Sequence, residues 1–253
     1  MKKFIKKIPV IGDLLLRIKK QIKNKIKDNR RKKFKIKRRK KLLHASGKYL
    51  GIYHAFEFIN KYQHTKPGDY LEFGVYKGRS FIEAYKKSKE MKFDKMRFFA
   101  FDSFEGLPEL GKNDASFDQF HEGQYSYSEK DFLNTIKQDS VDLERVITVP
   151  GFYGKSLKEK GLKEKLGIKF ASVIWVDCDL YVSTKPVLEF ITDIIDTGTI
   201  IVFDDWFSFA GDLYKGEIRA VNEWLEMNPD IRLCHYKDIG KDGRIFIVQK
   251  VID

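Results

Sequence analysis

The sequence predicts an α/β chain: a Rossmann-like, mostly parallel seven-stranded sheet with helices on both faces and a C-terminal antiparallel hairpin. Three observations predict it. From Asp69 onward, short runs of apolar and β-branched residues alternate with stretches of helical periodicity. Several runs are apolar throughout rather than alternating, as strands buried on both faces are. The last two runs are separated only by a Lys/Asp/Gly-rich turn, too short for a helical crossover.

A helix over 45–63 comes first, its apolar surface supplied by Tyr49, Tyr53, Phe56, Phe58 and Ile59. Five strand–helix units follow, with strands at 69–74, 96–102, 145–150, 170–178 and 198–204. Their helices are expected at 79–91, 128–138, 155–165, 183–196 and 214–227. Strands at 231–236 and 244–250 close the chain as a hairpin that adds one antiparallel edge strand. Residues 103–127 form a long aromatic loop, and long loops in compact domains usually serve function. Within it, Tyr125, Tyr127 and His121 are read either as a substrate lid or as packed aromatics.

Two strands end in acids. One reads Phe170-Ala-Ser-Val-Ile-Trp-Val-Asp177-Cys-Asp179, the other Gly198-Thr-Ile-Ile-Val-Phe-Asp204-Asp205. Ligands of open α/β sheets bind at the strands' carboxyl ends, so four carboxylates should converge on one rim. Like charges packed together repel, and a hard divalent cation with oxygen ligands is the natural counter-charge. For Asp177 and Asp179 both to serve the rim, the strand must end or twist before Asp179. A lone aspartate at a strand end is often a helix cap, but four at two strand ends argue against a purely structural role.

Charge is unevenly placed. Residues 1–42 hold 20 Lys/Arg and two Asp, a net +18, so with +13 over the whole chain the remainder carries −5. Phe4, Ile8, Ile11, Leu15, Ile18, Ile22 and Ile26 make one apolar stripe along this arm, with lysines opposite. The pattern suits a basic amphipathic helix on an anionic membrane surface. A helix packing on a partner subunit, and a nucleic-acid contact or nuclear import signal, are the alternatives. No stretch approaches the roughly 20 apolar residues of a membrane span, and the N-terminus has no signal-peptide pattern. Cys178 and Cys234 fall in expected buried strands without metal-like spacing, which suggests a reducing compartment. A cytoplasmic protein, peripheral at the inner face of a membrane, is the expectation.

The first strand-to-helix turn reads Tyr70-Leu-Glu72-Phe-Gly74-Val-Tyr-Lys-Gly78-Arg-Ser80. Its glycines let backbone approach a ligand at a helix N-terminus. The second strand ends at Asp102, placed to accept from ribose hydroxyls. Glu72 before the turn suits a cationic amino group. Together these fit S-adenosylmethionine, which carries an ammonium and a sulfonium, better than a dinucleotide.

Five segments then resemble the macrocin O-methyltransferase (TylF-like) family of Mg-dependent class I methyltransferases. They are Leu71-Glu-Phe-Gly-Val-Tyr-Lys-Gly-Arg-Ser80, Phe101-Asp-Ser-Phe-Glu-Gly-Leu-Pro-Glu109, Pro150-Gly-Phe-Tyr153, Val176-Asp-Cys-Asp-Leu-Tyr-Val-Ser-Thr-Lys185 and Val202-Phe-Asp-Asp-Trp206. The resemblance covers about residues 68–250. It implies that Glu72, Gly74, Gly78, Ser80, Asp102 and Ser103 hold S-adenosylmethionine, with Gly151 and Phe152 beside its adenine. It implies Mg2+ on Asp177, Asp204 and Asp205, and Asp179 as general base. Phe73 departs from a usual cysteine and Trp206 from a usual tyrosine. Lys155-Ser156 stands where Asp-Thr is common.

The implied division of the chain is an arm at 1–42, a helical lead-in at 43–67 and a methyltransferase domain at 68–253. The implied reaction moves a methyl group to a hydroxyl, expected on a sugar of a glycoconjugate or natural product. A catechol-like phenol as acceptor, or a non-catalytic membrane-tethering protein with a methyltransferase-like body, are the alternatives. Tyr181-Val-Ser-Thr-Lys185 also matches the Tyr-x-x-x-Lys of short-chain dehydrogenases, but that reading leaves the acids without a role. Partners admitted are the hydroxyl-bearing acceptor, the membrane and a second copy of the chain; nucleic acid is not expected.

Overall fold

A computed structural model describes residues 47, 49–62, 67–110, 114 and 120–251. The arm expected at residues 1–42 lies outside them. The strands are β1 Asp69–Phe73, β2 Phe98–Asp102, β3 Val146–Pro150, β4 Ala171–Val176, β5 Ile200–Phe203, β6 Ile231–Ile239 and β7 Gly243–Lys250. The helices are α1 Tyr49–Tyr62, α2 Arg79–Glu90, α3 Glu129–Gln138, α4 Tyr153–Ser156, α5 Leu162–Leu166, α6 Tyr181–Ile191 and α7 Gly216–Met227.

The strands form one sheet in the order β3-β2-β1-β4-β5-β7-β6. β1 to β5 run parallel, and β7 is antiparallel to both neighbours. The strand order reverses between β1 and β4, the switch point where open α/β sheets bind ligands. All five residues of β1 and all six of β4 are buried, which is why neither alternates in sequence.

Successive side chains of β1 enter two different cores. Tyr70 faces α1, α2 and α3, among Ile52, Phe56, Phe81 and Phe132. Leu71 and Phe73 face the layer of α6 and α7, among Leu188, Ile191, Val221 and Trp224. Each fully buried side chain of this size stabilises by about 1.5–3 kcal/mol relative to exposure. The sheet is thereby clamped from both sides, and its carboxyl-end rim is a rigid platform.

Three expectations are corrected. The antiparallel strand is not at the edge: β7 pairs with β5, and β6 lies outside it. Burial explains the order, since Ile245 and Val248 of β7 are fully buried while β6 exposes much of its length. Cys234 is exposed for the same reason, because it lies on that edge strand. The helix expected at 155–165 divides into α4, which ends at Ser156, and α5, which starts after Gly161 in the left-handed conformation (φ 74°).

Candidate functional site

The acidic segments meet at the rim of β4 and β5. β4 stops at Val176, and Asp177 donates its N–H to the Phe73 carbonyl at 2.8 Å. Asp179 adopts φ 60°, a left-handed conformation that aspartate tolerates better than most residues. The chain therefore leaves the strand before Asp179. Asp177 and Asp179 both line one cavity, with Asp204 and Asp205 from the end of β5. One carboxylate oxygen each from Asp177, Asp204 and Asp205 lies within 4.8 Å of the others. A wholly carboxylate donor set of this spacing suits a hard divalent cation. Asp179 is outside this trio and 9% exposed.

The cavity has a volume of about 480 Å3, within the range of small-molecule sites. It extends from the acids to Gly74, Asp102 and Ser103 on one side and Phe152 and Gly154 on another. Leu107, Glu109 and Tyr125 of the long loop cover it. Gly74 joins the two ends. It takes φ 89°, and a Cβ there would come 1.8 Å from the Asp177 carbonyl oxygen. The glycine turn is thus packed directly on the acidic segment.

The model of the family described as Macrocin-O-methyltransferase (TylF) matches residues 53–226, over two thirds of the chain. The chain belongs to the macrocin O-methyltransferase family. It is an S-adenosylmethionine-dependent O-methyltransferase. Solved structures share its fold. The O-methyltransferase NovP is 21% identical, with a TM-score of 0.65 over 80% of this chain and 79% of its own. The calicheamicin methyltransferase CalS11 is 20% identical, with a TM-score of 0.61 over 79% of this chain and 77% of its own. CalS11 is described in its apo form as a TDP-rhamnose 3'-O-methyltransferase. An O-methyltransferase from Bacillus cereus in complex with SAH is 16% identical, with a TM-score of 0.50 over 79% of this chain and 80% of its own. No curated protein matches the chain in sequence.

In this methyltransferase the residues expected at the cofactor fall into two groups. Gly74, Asp102, Ser103 and Phe152 line the cavity. Glu72, Gly78, Ser80 and Gly151 are not among its walls. Glu72 is fully buried behind the turn and accepts from Tyr70 Oη and Ser80 Oγ, both at 2.5 Å. Gly78 caps α2 with φ 70°, and Gly151 donates to the Asp102 carbonyl at 2.9 Å. Asp102 braces the turn: its carboxylate accepts from the N–H groups of Val75 (2.7 Å), Tyr76 (3.1 Å) and Phe104 (2.7 Å). Burial pushes its carboxyl above the usual range, and those three donors pull it back.

Of the three lid candidates, Tyr125 alone lines the cavity. Burial and then the charges of Asp179, Asp205 and Asp177 raise its phenol. Tyr127 is bonded instead to Thr135 of α3, and His121 is exposed. Phe73 stacks on Phe101 at 4.5 Å and Trp206 packs on Phe203 and Phe246, so both departures from the family pattern serve packing. Lys155 is exposed, and Ser156 Oγ donates to the Gly151 carbonyl at 3.0 Å. Tyr181 Oη donates to Glu223 of α7 at 2.7 Å, which accounts for the Tyr-x-x-x-Lys pattern structurally.

Two acids in this methyltransferase carry no signal in sequence. Asp114 reaches across from the long loop and caps α6, accepting from the N–H of Tyr181 at 2.9 Å and of Val182 at 3.3 Å. Glu217 lies in the first turn of α7, is 1% exposed, and accepts from the N–H of Asp205. Burial and then Asp205, Asp204, Asp179 and Asp177 push its carboxyl well above the usual range.

Proposed function

We propose that this enzyme is a Mg2+-dependent O-methyltransferase that methylates a hydroxyl of a sugar, within a glycoconjugate or natural product. One observation carries the reading: three carboxylates spaced to share a cation stand in the same cavity as a fourth, Asp179, and the glycine turn. The sugar acceptor is supported by the description of CalS11 as acting on TDP-rhamnose, and by a cavity walled by Tyr76 and Tyr125 in edge-to-face contact at 5.7 Å.

Asp177, Asp204 and Asp205 would hold the cation, which when bound stabilises a developing alkoxide and orients a vicinal diol. S-adenosylmethionine supplies the methyl group from a sulfonium. Gly74 gives the cofactor close access to backbone, and Phe152 gives its adenine an apolar wall. Asp179 takes the proton from the acceptor hydroxyl as the new C–O bond forms and the C–S bond breaks. Its left-handed backbone is what turns the carboxylate into the cavity.

The test compares binding with turnover. Asp179→Asn should bind Mn2+ and S-adenosylhomocysteine as the wild type does while losing about 100-fold or more in turnover. Asp204→Asn should lose Mn2+ binding and keep S-adenosylhomocysteine. A wild-type protein that binds no divalent cation, or an Asp179→Asn variant with full turnover, refutes the reading. Glycans from cells expressing wild type or Asp179→Asn, compared by mass spectrometry, identify the acceptor. For residues 1–42 we propose attachment to an anionic membrane surface, supported by the charge and apolar stripe of that sequence.

A further inference from the structure

We infer that Glu217 is a positioning residue that holds Asp205 in place for cation binding, an inference that rests on the cation reading above. A glutamate in the first turn of a helix ordinarily reaches into solvent, where the positive end of the helix dipole favours it. Glu217 instead points inward and is 1% exposed. Its Oε2 accepts from the Asp205 N–H at 3.2 Å, and Oε1 has no hydrogen-bond partner among the described residues. Burying a carboxyl group with one oxygen left without a hydrogen bond is costly.

The placement explains what the cost secures. Asp205 lies beyond the end of β5, and its carbonyl accepts from the Ser208 N–H at 3.0 Å. Its carboxylate is oriented by Ser208 Oγ, which donates to Oδ1 at 2.8 Å. Its backbone N–H is held by Glu217, so side chain and main chain are both anchored. The strut itself is rigid. α7 is tied to the α6 layer through Trp224 Nε1, which donates to Thr192 Oγ1 at 2.9 Å, and through Lys185, which donates to Glu223 at 3.1 Å. Groups that orient metal-binding carboxylates typically change affinity about 10–100-fold when removed.

Two substitutions separate reach from the ionisable group. Glu217→Gln keeps an oxygen at the same reach without a carboxyl. Glu217→Asp keeps a carboxyl and withdraws the oxygen by about 1.5 Å. Mn2+ affinity of the full-length protein is measured by calorimetry, with S-adenosylhomocysteine affinity as the parallel readout. Glu217→Asp should bind Mn2+ about 10–100-fold more weakly with S-adenosylhomocysteine unchanged, and Glu217→Gln should stay close to wild type. Wild-type Mn2+ affinity in Glu217→Asp overturns the inference. So does weakened Mn2+ binding in Glu217→Gln, which remains decisive should the aspartate variant not fold. Asp204→Asn is the control: if it binds Mn2+ like wild type, the cation reading itself fails. If it loses Mn2+ while Glu217→Asp does not, this inference alone fails.

Discussion

Gly74 and Asp179 show how single residues join the two halves of the site. Gly74 combines a left-handed φ of 89° with an approach so close that an added Cβ would lie 1.8 Å from the Asp177 carbonyl oxygen. Gly123 also has positive φ, 74°, but no described residue lies within 4 Å of the Cβ it lacks. Gly123→Ala therefore isolates conformational strain and should cost about 1 kcal/mol. Gly74→Ala adds the collision and should cost on the order of 3 kcal/mol, read in denaturant melts. It should also weaken both S-adenosylhomocysteine and Mn2+ binding, because relief of the clash moves the glycine turn and Asp177 apart. Equal losses for the two variants would show that the turn does not bear on Asp177. The four aspartates were legible in the sequence because each closes an apolar run, a local pattern. Glu217 and Asp114 were not, since their bonds span 12 and 67 residues and neither sits at a position that periodicity marks. Asp102 was legible as a rim acid, but its brace on the turn depends on strand neighbours that no local pattern reveals.

At the scale of elements, α6 and α7 are clasped by a charged cluster at the cavity's flank. Glu223 accepts from Arg219 Nε at 2.8 Å, from Tyr181 Oη at 2.7 Å and from Lys185 at 3.1 Å. The Arg219 bond, then that of Tyr181, lowers its carboxyl from the usual 4.5 to about 2. A carboxyl lowered on folding contributes stability that is fully present above pH 4.5 and is lost as pH falls towards 2. Its side chain remains 31% exposed, so solvent screening holds the contribution to about 1 kcal/mol. Glu223→Gln should therefore be about 1 kcal/mol less stable than wild type at neutral pH. Urea melts should show that gap closing between pH 4.5 and 2. A gap independent of pH would mean that packing, rather than charge, holds the helices. The elements themselves were largely legible: β1 was expected at 69–74 and is Asp69–Phe73, and α2 at 79–91 is Arg79–Glu90. Illegible were the place of β7 between β5 and β6, a matter of pairing partners, and the turn over 157–161 that divides α4 from α5.

At the scale of the whole molecule the dominant fact is the separation of charge. Residues 1–42 carry +18 and the remainder −5. No helix among the described residues is long and apolar enough to cross a membrane. An acidic body is repelled by an anionic bilayer, so the attachment proposed above would come from the arm. Each Lys or Arg near such a surface contributes about 1 kcal/mol, and the stripe from Phe4 to Ile26 adds apolar burial that neutral lipid also rewards. The two contributions separate by salt, since the Debye length falls from about 10 Å at 0.1 M to about 3 Å at 1 M. Full-length protein should float with vesicles containing anionic lipid at 0.1 M salt and much less at 1 M. With neutral vesicles the attachment should be weak at either salt concentration. Removal of residues 1–42 should abolish flotation while leaving S-adenosylhomocysteine affinity unchanged, because that segment precedes the 53–226 family match. Flotation that survives the deletion would place the membrane contact on the body and refute the role of the arm. Loss of cofactor binding with the deletion would instead make the arm part of the catalytic unit.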